Sequence, residues 1–189
     1  MNASSKASMP QTSNHPNHEP DTTKAAGGKF LTFFLAGEEY GIEILSVHEI
    51  IGMMPITGLP GTPEYICGII NLRGKIIPIV DLRRKFGMES KPQTPETCII
   101  VVHVQGVEVG IVVDRVSEVV NISDDDIEPA PSFGKDVNTD YILGFGKSQT
   151  RVKILLNIDR VISADQIVQL QKMADAEAPP QQTAAEAQL

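Results

Sequence analysis

Few residues in this 189-residue chain have the types and spacing to do chemistry, and most candidate sets meet an objection in their own neighbourhood. The run from Tyr141 through Gly144 and Gly146 to Lys147-Ser148 ends like a phosphate-binding loop, in which backbone amides and a lysine cradle phosphate oxygens. That motif needs a glycine where Tyr141 stands and a helix where a β-like segment follows. Nucleotide binding is rejected, and Gly144 and Gly146 read as turn residues. Asp124-Asp125-Asp126 groups carboxylates, but a calcium loop interleaves its ligands around a sharp-turn glycine and ends on a distal glutamate. An exposed acidic turn capped by Ser123 is the simpler reading. His15 and His18 lie in a polar tail with no further metal donor nearby. His48 and His103 lie in apolar strand-like runs, where a packed or edge-exposed imidazole is expected. Cys67 and Cys98 lack C-x-x-C spacing and read as buried free thiols of a reducing compartment. No Ser/His/Asp or Cys/His constellation is arguable, so the residues predict no catalytic group, no cofactor and no metal.

What remains is a cation with an unusual mounting. Two β-rich runs, Ile69–Leu72 and Ile76–Val80, flank Arg73-Gly74-Lys75, which reads as a hairpin turn because glycine takes the positive φ of a tight reversal. Asp81 then reads as the N-cap of a short helix over Leu82–Phe86 that Gly87 stops. The stretch is a rigid platform holding Arg73 toward solvent.

The elements around it are mainly β. Phe30–Leu35 reads as a strand, Gly37-Glu38-Glu39 as a turn and Tyr40–Ile44 as the returning strand. Leu45–Ile51 alternates as a further strand, with Leu45, Val47, Glu49 and Ile51 on one face and Ser46, His48 and Ile50 on the other. A loop rich in proline and glycine leads to the hairpin, and residues 88–97 form a polar linker. The second half repeats the first. Gly106 to Ile111 matches Gly37 to Ile42, and Val116, Glu118, Val119 and Val120 fall on Val47, Glu49, Ile50 and Ile51, all at a shift of 69 residues. Farther on Tyr141–Gly144 echoes Tyr65–Gly68, and Ile154–Asp159 echoes Ile76–Asp81. Arg73 has no such echo, which favours a contact of its own over a shared structural duty; Glu49, echoed by Glu118, is consistent with either. Ser163 to Gln166 is a capping-box pattern opening a helix over about 164–173, with Ile167, Leu170 and Met173 as docking positions.

The fold class expected is mainly β: two small barrels of similar plan on a shared core, with a short C-terminal helix. The organisation expected is a disordered tail over 1–28, a domain over 29–172 and a disordered tail over 174–189. Within the domain the first β unit covers about 29–90 and the second about 96–162. A net charge of −8, no Trp and 5% aromatics argue against binding nucleic acid. No signal peptide and no apolar run of bilayer length is present, so a soluble cytoplasmic protein is expected.

Together these residues resemble the CheW family of chemotaxis coupling proteins. Glu38 to Leu45, Val47-His48-Glu49-Ile50, Asn71-Leu72-Arg73-Gly74, Pro78 to Arg83, Val109 to Asp114, Ile127 to Pro131 and Tyr141 to Gly144 carry the likeness over about residues 29–172. The resemblance implies two intertwined five-stranded barrels and no catalysis. It implies an adaptor between the cytoplasmic tips of methyl-accepting chemoreceptors and the regulatory domain of the histidine kinase CheA, in arrays at the inner face of the membrane. Carried onto this chain, receptor contact falls to Val47, Glu49, Ile50, Arg73, Gly74 and Ile99, while kinase contacts stay unassigned. Alternatives are a scaffold of a type IV pilus or other chemosensory system and, from another class, a barrel that binds nucleic acid or a small ligand.

Overall fold

The computed structural model describes residues 26–131, 139–148, 151–163, 165, 166, 168–170 and 172. In chain order the strands are β1 (Gly28–Leu35), β2 (Glu38–Glu43), β3 (Val47–Gly52), β4 (Ile66–Leu72), β5 (Lys75–Asp81), β6 (Cys98–Val104), β7 (Val107–Val113), β8 (Arg115–Ile122), β9 (Ile127–Glu128), β10 (Ile142–Ser148) and β11 (Arg151–Leu156). Short helices α1 (Leu82–Lys85) and α2 (Ile158–Val161) follow β5 and β11.

The strands form two sheets, ordered β8-β1-β2-β11-β10-β9 and β3-β6-β7-β5-β4. Each sheet therefore takes strands from both sequence repeats: β1 and β2 lie among the second repeat's strands, and β6 and β7 among the first's. Each sheet also closes. After β8 the chain returns as β9 to pair with β10, and after β3 Thr57 exchanges two backbone hydrogen bonds of 2.9 Å with Ile69 of β4. Closure removes open edges and gives each barrel an inside.

Strands with both faces covered read as unbroken apolar runs, and β6 shows why. Ile99 and Val101 point into the second barrel with Ile70, Ile77 and Ile79, while Ile100, Val102 and Val104 point the other way. That other side is the shared core, where they meet Leu31, Phe33 and Leu35 of β1 and Ile42 of β2. The first barrel's interior is smaller, built on Phe30, Ile122, Ile127 and Leu155.

The repeat is closer in space than its sequence echo suggests. Asp81 and Asn157 cap α1 and α2, accepting from the amides of Arg84 and Arg160. Their own amides donate to the carbonyls of Tyr65 and Tyr141 at 2.8 Å. Asn157, not Asp159, is thus the equivalent of Asp81, which moves the expected match of Ile154–Asp159 by two residues. Other local expectations shift as well. The first turn is Ala36-Gly37, with positive φ at both residues, so Glu38 and Glu39 belong to β2. Ile44–Ser46 is a single 3-10 turn, so the strand begins at Val47 and Leu45 points to solvent. Gly144 and Gly146 lie within β10, not in a turn: a Cβ on Gly144 would stand 2.6 Å from the Glu128 carbonyl oxygen. Ser123 precedes the 3-10 turn Asp124–Asp126, but its hydroxyl donates to the Asp126 carboxylate instead of capping an amide.

Of the docking positions expected in the C-terminal segment, Leu170 is among the described residues. Leu170 is fully buried in the shared core, and the Gln166 side chain accepts from the Ser163 amide at 3.0 Å. Gln166 also accepts from Lys85 at 2.8 Å and donates to the Tyr65 hydroxyl at 2.7 Å. Ile167, Met173 and both polar tails, save residues 26–28, lie outside the described residues.

One ion pair joins the repeats away from the barrels. Arg83 of α1 is buried and grips Asp114 with two nitrogens, and Asp114 also accepts from the Ala36 amide at 2.9 Å. Burial is the largest single influence and would raise the Asp114 carboxyl, but the Arg83 hydrogen bonds, the Ala36 amide and the positive charges of Arg83 and Lys91 together outweigh it and hold its pKa below the ordinary value. A carboxyl depressed by folding stabilises the native state above its unfolded pKa of about 3.9. That contribution is lost as pH falls through the lower folded value. Asp114→Asn is therefore expected to cost about 2–4 kcal/mol at pH 7 and to flatten the acid limb of stability against pH. Urea unfolding at neutral pH and at pH 3 checks both parts.

Candidate functional site

The β4–β5 hairpin turns in two residues, Arg73 at φ 55° and Gly74 at φ 90°, and Asn71 fixes it by accepting from the Gly74 amide at 2.8 Å. Positive φ at both central residues matches the twist of the flanking strands. The same pair of conformations recurs at Ala36-Gly37 and Gln105-Gly106, so the backbone at Arg73 is a hairpin feature and not in itself a sign of function. Its side chain differs. The Arg73 guanidinium reaches back to β3 and forks onto the Glu49 carboxylate, with N–O distances of 3.0 and 2.9 Å. Glu49 is mostly sheltered while the Arg73 side chain is 76% exposed.

The pair stands at the mouth of the second barrel. Side chains alternate along a strand, so residues two apart share a face. Glu49 continues the inward face of Ile51, His103 that of Ile99 and Val101, Glu108 that of Gly110 and Val112, and Lys75 that of Ile77 and Ile79. At the end of the barrel that apolar interior gives way to a row of polar groups: Lys75 donates to Glu108 at 3.1 and 3.3 Å, and the His48 and His103 rings meet edge to face. The row is held by backbone register, and it shields the interior from water while keeping its own heads wet.

Of the six residues carried over by resemblance, the structure brings five to this end of the molecule. Glu49, Arg73 and Gly74 form the charged corner; Ile50 is 45% exposed on the outer side of β3, and Val47 is half-buried against the shared core. Ile99 is a correction. It is fully buried inside the second barrel, paired across the ladder with Ile51, and lines no surface. Its apolar strand is covered on both faces, and an unbroken run does not say which residue is outermost.

Two polar groupings escaped sequence reading. One is the His48, His103, Glu108 and Lys75 row. The other is Glu39 with Lys153, a pair at 2.7 Å with both side chains 6% exposed inside the first barrel. Burial would raise the Glu39 carboxyl, but hydrogen bonds from Lys153 and Thr32 prevail and lower its pKa. The signal available was weak: a glutamate in an inward-facing strand position, with its partner in another repeat.

A model of the CheW family, described as the CheW-like domain, matches residues 29–166. The chemotaxis protein CheW of Klebsiella aerogenes is 40% identical over 151 residues, covering 80% of this chain and 91% of that protein. The chemotaxis protein CheW of Bacillus subtilis is 36% identical over 140 residues, covering 74% and 89%. Among solved structures, the crystal structure of the scaffolding protein TtCheW from Thermoanaerobacter tengcongensis is similar, with a TM-score of 0.68 and 37% identity over 74% of this chain and 95% of that one.

Proposed function

The chain belongs to the CheW family, and from that membership we propose that it is a non-enzymatic adaptor coupling the cytoplasmic tips of methyl-accepting chemoreceptors to the regulatory domain of the kinase CheA. Its relatives are named for chemotaxis, and the similar solved structure for scaffolding, which supports this class of function. Among the described residues no helix is long and apolar enough to cross a membrane. Association with the inner face of the membrane would run through the receptors.

The observation that carries the receptor-facing half is the Glu49–Arg73 fork, mounted on two strands of a closed barrel beside exposed Ile50. An amphipathic receptor helix laid across β3 meets Ile50 and the flank of Val47 as apolar anchors and the charge pair as a register mark. Because Glu49 and Arg73 satisfy each other in the free chain, a receptor charge exchanges for a contact already made. The corner thus contributes more to selectivity than to affinity. Ile99 acts only from behind, by supporting Ile51.

Arg73→Glu is the test. The variant sets two carboxylates against each other on an exposed corner, where pairs are worth about 0–1 kcal/mol, so its melting temperature should move little. Co-sedimentation with a receptor fragment and CheA should be lost. Recruitment equal to that of the parent would remove Arg73 from the interface, and a large fall in melting temperature would assign it a structural role instead.

A further inference from the structure

The polar row at the mouth of the second barrel contains a donor set that the receptor reading leaves unused. His48, His103 and Glu108 lie on three neighbouring strands, β3, β6 and β7. His103 and Glu108 are direct cross-strand partners. The pairing of β3 with β6 slips between Val47 and Glu49, and the bulge at His48 turns its ring toward His103. His48 Nδ1 and His103 Nε2 stand 3.3 Å apart, and His103 Nε2 is 3.8 Å from Glu108 Oε1. One ligand atom of each residue lies within 4.8 Å of the other two.

Tetrahedral zinc with bonds of about 2.0–2.1 Å to nitrogen sets its donors roughly 3.3–3.4 Å apart. The imidazole pair already spans one such edge, the 3.8 Å edge from His103 to Glu108 needs to close by about half an ångström, and the third edge, from His48 to Glu108 and within 4.8 Å, must close with it to complete a face. Two imidazole nitrogens and one carboxylate oxygen suit zinc, nickel or copper(II), and they suit magnesium or calcium poorly. We propose that His48, His103 and Glu108 form a binding site for a zinc-class divalent ion, with a fourth position open to solvent. Both imidazoles are about half exposed, so the ion has a way in. Lys75 competes for Glu108, but its side chain is 68% exposed and such a pair is weak enough to be displaced. The site adjoins Glu49, whose Oε1 is 3.8 Å from His48 Nε2, yet it stands whether or not Glu49 and Arg73 meet a receptor.

The test titrates Zn²⁺ by calorimetry into the full chain carrying His15→Gln and His18→Gln, which removes the tail imidazoles as donors. Imidazole resonances are followed by NMR in parallel. One Zn²⁺ per chain is expected, with the His48 and His103 resonances shifting together. His103→Gln and Glu108→Gln should each weaken binding roughly tenfold or more, since even an outer partner of a metal ligand is worth that much. Lys75→Met should tighten it, a gain that misfolding cannot mimic. Absence of saturable binding, binding that leaves both imidazoles unshifted, or a His103→Gln variant that binds like its parent would each overturn the site.

Discussion

Lys153→Met is expected to destabilise the protein by about 3–5 kcal/mol, although methionine fills nearly the same volume. Lys153 lies inside the first barrel, its ammonium 2.7 Å from the Glu39 carboxylate, with both groups almost fully buried. Among the described residues every buried side-chain nitrogen and oxygen has a hydrogen-bond partner. Removing the ammonium leaves a carboxylate in an apolar interior, held only by Thr32 and Ser117. The unpaired charge, not the lost attraction, sets the size of the effect, because desolvating an ion costs several kcal/mol that only its partner offsets. With its partner gone, burial favours the protonated form of Glu39, so its pKa, lowered in the parent, rises in the variant. The double variant Glu39→Gln with Lys153→Met should recover much of the loss, since it leaves no buried charge. Urea midpoints for the two singles and the double form the cycle. A loss under about 1 kcal/mol in Lys153→Met would mean that water reaches the pair and that the first barrel is not closed around it.

Gly68→Ala is expected to be as severe, by a different route. Gly68 sits in β4 at φ 134°, and a Cβ there would stand 2.0 Å from the Thr57 carbonyl oxygen and 2.7 Å from the Thr57 carbonyl carbon. No rotamer relieves a clash with backbone. Thr57 must retreat, and with it go the two hydrogen bonds to Ile69 that close the second barrel. The cost combines a strained φ, two broken bonds and an opened edge, about 3–5 kcal/mol together. A variant that stays soluble should lose hydrogen-exchange protection at the Ile69 amide first, because that amide donates to Thr57. Full protection at Ile69 in a stably folded variant would show that the closure is made elsewhere.

These positions separate what is local from what is not. The Leu72–Lys75 hairpin, the Asp81 cap, the Gln166 contact with Ser163 and the duplicated plan were legible in the sequence. The first three depend on groups a few residues apart, where turn geometry and capping leave few alternatives, and the duplicated plan shows as matching residue types at a fixed shift. The Leu45 strand face and the Gly144 turn differ from the fold because alternation and glycine content are shared by neighbouring possibilities one or two residues apart.

Which strands are neighbours is a property of the folded chain. Periodicity says that a strand buries a face; it carries no address for the partner, and strands covered on both sides lose even the alternation. So the exchange of β1–β2 and β6–β7 between repeats, the burial of Ile99, the Glu39–Lys153 pair and the convergence of His48, His103 and Glu108 all waited on the fold. Local patterns along the chain suffice for the class, a duplicated β protein of the CheW kind with an arginine mounted on a hairpin. Where that arginine goes, onto Glu49 at the mouth of a closed barrel, was settled by the register between strands far apart in the chain.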